Sequence, residues 1–286
     1  MDSRTLETVA ARWRALRPGV AAVTRFAPSP TGVLHEGHLL HLRWLEGIAR
    51  ATGARVVVRM EDHDRTRCSS AFERAILDQL RDSGMAVDRE SLASLEGPPP
   101  SPYRQSDNPA RYLAAFEQLR AAGLLYGCTC TRGDLPSPDA HGERRYPGTC
   151  RGQPVEREGK CVVRVMLPDR PTETADLLHG TIAQHPSRDH GDPVVRDAVG
   201  QWTYLLSVVV DDLVHGITLV IRGNDILPST GRQVLLAELL GRAVPVVTAH
   251  HPLLLDAEGR KVSKRTRTGR GPVPTMTRTA SGTSPD

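Results

Sequence analysis

Two histidines, His35 and His38, flank Gly37 within Arg25-Phe-Ala-Pro-Ser-Pro-Thr-Gly-Val-Leu-His-Glu-Gly-His38. Each imidazole can donate a hydrogen bond to a phosphate oxygen, and the intervening glycine lets the backbone come close. Such a pair suits charge stabilisation at a phosphate under in-line attack better than it suits proton abstraction alone. A second basic feature lies far downstream, in Lys261-Val-Ser-Lys-Arg265. Of the 37 basic residues only Lys160, Lys261 and Lys264 are lysine, so two of the three fall in this one short stretch. In a chain that otherwise uses arginine, lysine there points to a need for a compact ammonium where a broad guanidinium fork would not fit.

The elements that must position these groups can be read around them. The apolar, β-branched run Val20 to Thr24 precedes the histidine stretch, and a helical pattern, Leu39 to Ala51, follows it. A strand that passes through a Pro/Gly turn into a helix start is where α/β sheets bind phosphate. Neither G-x-G-x-x-G nor a P-loop is present. Arg55 to Met60 reads as a second buried strand, ending in the acidic cluster Glu61-Asp-His-Asp64. Ser69 or Ser70 should cap a helix running to Gly84, 97–102 reads as a stiff Pro-rich loop, and Arg111 to Ala122 as a helix stopped by Gly123. From Cys128 to Gly200 long amphipathic helices are lacking, and the short β-like pieces Cys161 to Leu167 and Gly180 to Ala183 suggest an insertion between the halves of a nucleotide-binding fold. The second half resumes at Trp202, with a strand at Ile217 to Ile221, a helix at Thr230 to Leu240 and a strand at Val246 to Ala249. Arg25 and Arg222 fall where expected strands end.

Cys128, Cys130 and Cys150 cluster in that insertion, with Tyr146 between them. Three thiolates and a phenolate or imidazole would satisfy a tetrahedral zinc ion, but three reduced buried thiols beside a core tyrosine explain the spacing equally well. Five cysteines, an odd number unevenly spaced, argue against a disulfide framework, and Cys68 and Cys161 read as small packing residues. A formal charge of +4 permits nucleic-acid binding without demanding it, and scarce aromatics limit base stacking. No apolar run reaches the roughly 18 to 20 residues of a membrane span, so no membrane partner and a cytoplasmic location are expected.

From about Val23 to Arg265 the chain resembles class I glutamyl-tRNA synthetases, whose R-F-A-P-S-P-T-G-x-L-H-x-G-H stretch and K-x-S-K loop both bind ATP. The resemblance implies an α/β class I synthetase fold, a Rossmann-like parallel sheet with an inserted zinc-containing subdomain akin to the acceptor-binding one. It implies ATP contacts at Pro28, His35, Gly37, His38, Lys261, Ser263 and Lys264, with His35, His38 and Lys264 acting in catalysis and Mg²⁺ accompanying ATP. Arg25, Phe26, Ala27, Pro28, Ser29, Glu61, Tyr204 and Arg222 match the family's L-glutamate contacts, Glu61 being the partner of the ammonium. The likeness extends to the short Q-type branch of the family, which binds zinc through a C-x-C, Tyr and Cys pattern. Cys128, Cys130, Tyr146 and Cys150 match that pattern in a structural role, with His141 as a rival fourth ligand. That branch transfers glutamate to the queuosine base of tRNA(Asp) instead of to a tRNA 3′ end. The alternatives are a truncated synthetase charging a 3′ end and a catalytically silent tRNA-binding paralogue. The expected organisation is a leader (1–19), a first catalytic half (20–126), the zinc-binding insertion (127–200), a second catalytic half with the lysine loop (201–265) and a disordered basic tail (266–286), in a monomer. Two positions depart from the pattern: Glu36, where the family often has an apolar residue, and Arg265, where the wider class often has serine.

Overall fold

The computed structural model describes residues 1–138, 144–156 and 160–255. At its centre β1 (Val23–Phe26) pairs in parallel with β2 (Arg55–Val58), joined by the histidine turn and α2 (Glu36–Thr52). Three valines in a row are buried in β2, as expected of a parallel strand covered on both faces. Leu42, Leu45 and Ile48 on one face of α2 are at most 2 % exposed, and burying such side chains contributes about 2 kcal/mol each. Gly53, at φ 67°, ends the helix in the left-handed conformation that glycine adopts without a Cβ penalty.

The expected leader is a helix, α1 (Ser3–Leu16), capped by Asp2. It is packed into the fold: Val9 and Trp13 belong to the same core as β1 and β2. Arg12 Nη1 reaches the Leu177 carbonyl at 2.9 Å, and Arg17 the carbonyl of Pro245.

After β2, Ser69 caps α3 (Ser70–Asp82), as its position predicts, and Asp88 caps α4 (Arg89–Glu96). Next come α5 (Pro109–Ala121) and β3 (Leu125–Cys128). The expected insertion divides its strands between two sheets. β3 pairs with β4 (Val162–Val165), which pairs with β7 (Val194–Arg196), all antiparallel. In contrast β5 (Thr172–Asp176) and β6 (Gly180–Gln184) form a hairpin, followed by α6 (Pro186–Asp189), and β5 joins the sheet of the second half. There α7 (Tyr204–Val214), β8 (Leu219–Gly223), α8 (Thr230–Leu239) and β9 (Val247–His251) follow in turn. β8 and β9 are parallel, giving the order β6-β5-β9-β8. β8 also lies against the first pair, the Thr218 amide donating to the Val23 carbonyl at 2.9 Å. The carboxyl ends of β1, β2, β8 and β9 therefore share one edge of the fold, where α/β proteins bind ligands.

The candidate active site and metal cluster

His35 caps α2, and the two histidines hold each other there. The Gly37 amide donates to His35 Nδ1 at 3.1 Å and the His35 amide to His38 Nδ1 at 3.2 Å. Because both Nδ1 atoms accept, each neutral ring carries its proton on Nε2. The ring centroids are 4.0 Å apart. A Cβ on Gly37 would sit 3.0 Å from His35 Cε1, so the glycine is what allows the paired rings. The arrangement sets two imidazole donors at the positive end of a helix dipole, a combination suited to an anion. Lys261, Ser263, Lys264 and Arg265 lie outside the described residues, as do His141 and the 266–286 tail.

Next to this turn, charged side chains are buried together. Arg59, 0 % exposed, extends from the end of β2 and donates to Asp212 Oδ1 at 2.8 Å and Glu61 Oε1 at 2.9 Å. Arg25 Nε shares Asp212 Oδ1 at 3.1 Å. Asp211 lies 3.7 Å from Arg59 Nε and is held by Arg111, by Gln105 and by the Tyr112 hydroxyl. Burial works to raise the Asp212 carboxyl, but Arg25 and Arg59 outweigh it and hold it below its usual range. At Glu61 burial prevails over Arg59 and Arg25, and the carboxyl lies above its usual range. The Glu61 amide is tied to the Pro28 carbonyl at 3.0 Å, and Arg59 N–H to the Phe26 carbonyl at 2.9 Å. Phe26 and Pro28 are buried, Ala27 is half-buried and Ser29 exposed. The structure thus brings Arg25 and Glu61 together through two residues that sequence reasoning gave no role, Arg59 and Asp212.

Arg222, 5 % exposed at the end of β8, is different in kind. Its guanidinium meets only neutral acceptors: His250 Nε2 at 3.0 Å, Gln233 Oε1 at 2.5 Å and Thr230 Oγ1 at 2.8 Å. Among the described residues no carboxylate lies within 4 Å of it. Burial, with the like charge of Arg25 adding to it, lowers the guanidinium to about 10. Such a buried cation suits an anion that the described residues do not supply. Tyr204, 38 % exposed, begins α7, the helix whose last turn carries Asp211 and Asp212.

The sequence-expected metal ligands converge. The ligand atoms of Cys128, Cys130 and Cys150 lie within 4.8 Å of one another, with Cys130 Sγ and Cys150 Sγ 3.6 Å apart. Thiolates around a tetrahedral metal at about 2.3 Å would be roughly 3.8 Å apart, so the cluster fits such an ion with little adjustment. The Tyr146 hydroxyl accepts from the Cys150 amide at 2.8 Å and lies beside the Cys128 and Cys150 thiols. Burial raises the phenol, and the Arg164 guanidinium stacks 3.7 Å from its ring centre. At Cys150 burial acts upward, but hydrogen bonds from the Thr129 backbone and from Tyr146 bring the thiol down to about 7. Burial pushes Cys130 up to about 11. A cleft of about 340 Å³ runs from Tyr146 to Tyr204, bordered by Arg164, His190, Arg232 and Gln233.

Residues 21–270 match the family described as tRNA synthetases class I (E and Q), catalytic domain. The glutamyl-Q tRNA(Asp) synthetase of Thiobacillus denitrificans is 42 % identical over 250 residues, covering 86 % of this chain and 79 % of that protein. The protein of the same name from Neisseria meningitidis is 39 % identical, over 85 % and 80 % of the respective chains. A crystal structure of a glutamate tRNA ligase from Elizabethkingia meningosepticum, in complex with its amino acid, superposes with a TM-score of 0.70 at 31 % identity. The match covers 86 % of this chain but only 52 % of that ligase, about half its length.

Proposed function

The chain belongs to the tRNA synthetases class I (E and Q), and on that premise we propose that it activates L-glutamate with ATP and transfers it to the queuosine base of tRNA(Asp). The observation that carries the reading is a buried Arg222 that meets no carboxylate among the described residues, on the same edge of the fold as a buried acid, Glu61, and the histidine turn. A dicarboxylic amino acid offers the matching charges: a carboxylate for Arg222 and an ammonium for Glu61. Arg25, Phe26, Ala27, Pro28, Ser29 and Tyr204 complete the proposed pocket.

In the first step a carboxylate oxygen of glutamate attacks the α-phosphorus of ATP. The bond to the bridging oxygen breaks, and pyrophosphate leaves with its electron pair. His35 and His38 present Nε2–H donors to the phosphate oxygens as charge shifts onto them, Gly37 and Pro28 let the nucleotide approach, and Lys264, with Lys261 and Ser263 as further ATP contacts, adds positive charge to the phosphates in this reading. Mg²⁺ bound with ATP adds charge neutralisation. In the second step a cyclopentenediol hydroxyl of the acceptor base attacks the anhydride carbonyl, loses its proton, and AMP leaves. The cleft between Tyr204 and Tyr146 is the proposed entry for that base.

Cys128, Cys130, Cys150 and Tyr146 are the proposed ligands of one structural zinc ion, His141 being the alternative to Tyr146. Four protein ligands leave no open position, so the ion's contribution is to hold the β3 to β4 segment. A tRNA substrate implies a cytoplasmic location, and the protein acts as a monomer in this reading.

Glutamate-dependent pyrophosphate exchange tests the first step, and its absence would favour a silent paralogue. Labelled glutamate offered with queuosine-bearing and unmodified tRNA(Asp) tests the second. Equal labelling of both, lost on periodate treatment of the tRNA, would favour charging of the 3′ end. That second reading draws on the likeness to the Elizabethkingia glutamate tRNA ligase.

A further inference from the structure

Behind Arg222 stands an acid that the substrate reading leaves unused. Asp176, at the end of β5 and 1 % exposed, faces His250 Nδ1 at 2.7 Å through Oδ2. The same oxygen accepts from the Thr248 hydroxyl at 2.8 Å and the His250 amide at 3.1 Å. Oδ1 accepts from the Leu178 and His179 amides, both at 2.9 Å. So many donors fix the carboxylate in its charged form and in one orientation. His250 must then carry its proton on Nδ1 and offer Nε2 as an acceptor, which is what the Arg222 Nε–H at 3.0 Å requires.

We infer that His250, held by Asp176, is a positioning residue that orients Arg222 for a substrate carboxylate and keeps it apart from the protein's own acid. The inference rests on the proposal that Arg222 receives a carboxylate of glutamate. Of five guanidinium N–H groups, three go to neutral acceptors: His250 on Nε, Gln233 on Nη1 and Thr230 on Nη2. One N–H on each terminal nitrogen is left for a bidentate carboxylate. The imidazole is also a spacer. Without it, Asp176 would face Arg222 with no ring between them, and an internal pair would occupy the charge that the substrate should meet. A neutral amide would not compensate the seated cation, so the same arrangement favours glutamate over glutamine.

The test is pyrophosphate exchange with wild type, His250→Phe and His250→Gln, measuring KM for glutamate and for ATP separately. The phenylalanine variant removes the acceptor, so KM for glutamate rises about tenfold or more while KM for ATP stays within about twofold. The glutamine variant keeps an acceptor toward Arg222 and a donor toward Asp176, so its KM for glutamate stays within about threefold. A folded phenylalanine variant with an unchanged glutamate KM overturns the inference, and so does an equal rise in both KM values. Should that variant not fold, the glutamine variant decides alone, a tenfold rise in its glutamate KM counting against the inference. A wild-type protein inactive with glutamate would instead refute the functional reading itself, a result visible before any variant is made.

Discussion

Arg59→Met is the most revealing single perturbation of the buried charge cluster. The arginine is fully buried against three carboxylates, but their dependence on it is unequal. Asp212 keeps Arg25 at 3.1 Å, and Asp211 keeps Arg111 at 2.9 Å together with Gln105 and Tyr112. Glu61, 5 % exposed, has its ion pair with Arg59 alone among the described residues, so the loss falls chiefly there. Removing one partner of a buried pair costs about 3 to 5 kcal/mol. The surviving partners of the two aspartates place this case near the lower end, about 3 kcal/mol. For a chain of this size that is a fall in Tm of roughly 6 to 12 °C. Glu61 would also take up a proton, since burial already pushes its carboxyl upward and Arg59 is the larger force against it. The ammonium of glutamate would then lose its proposed partner. Thermal unfolding of wild type, R59M, E61Q and the double variant separates these effects. With no acid left to strand, the double variant should recover about 2 kcal/mol relative to the sum of the single changes. The reasoning is refuted if R59M lies within about 1 kcal/mol of wild type, or if the double variant is no more stable than R59M.

Other expectations follow from the same geometry. Burial lowers His41 to about 3 and His215 to about 4, and it lowers His250 and His251 as well. The unfolded chain therefore binds more protons than the fold below pH 6.5, so stability is full above that pH and is lost on acidification. The loss is on the order of 2 kcal/mol for each of His41 and His215 by pH 5, and His250 and His251 act in the same direction. Glu61 opposes with a single carboxyl, so the urea midpoint should fall between pH 7 and 5, and a flat profile would contradict the burial of these rings. Cys150→Ser should reduce bound metal, measured by elemental analysis, from one equivalent to well below it, and lower Tm. Metal retained at one equivalent would remove Cys150 from the ligand set. His38→Ala removes one phosphate donor and one capping acceptor, and should lower kcat for pyrophosphate exchange by about 10²-fold or more. A change confined to KM for glutamate would place that ring elsewhere.

Much of this was legible in the sequence because it is local. The β1-turn-α2 unit follows from a β-branched run, a Pro/Gly turn and a helical period, and its helix begins only three residues earlier than the expected Leu39. Ser69 capping likewise follows from spacing over a few residues, and the cysteine convergence from a pattern spread from Cys128 to Cys150. What was not legible depends on distant segments meeting. Arg59 directly follows an apolar strand, and nothing near it in sequence announces that Asp212 and Asp211, over 150 residues away, will surround it. The paired acids following the apolar run Val208 to Val210 were the available signal, since charges continuing a buried helix face need partners. The role of His250 was hidden for the same reason, because Asp176 lies 74 residues earlier in what read as an insertion. α1 read as a leader because the family resemblance begins only near Val23, yet Val9 and Trp13 seat it in the core.

The central claim, that glutamate activated in this pocket is passed to a modified base in an anticodon, is tested most directly by mass spectrometry of nucleosides. tRNA(Asp) bearing queuosine is incubated with the protein, ATP and glutamate, digested, and its nucleosides are resolved. The account predicts queuosine heavier by one glutamyl group and an unaltered 3′-terminal adenosine. Unchanged queuosine with glutamate esterified at the 3′ end would contradict it.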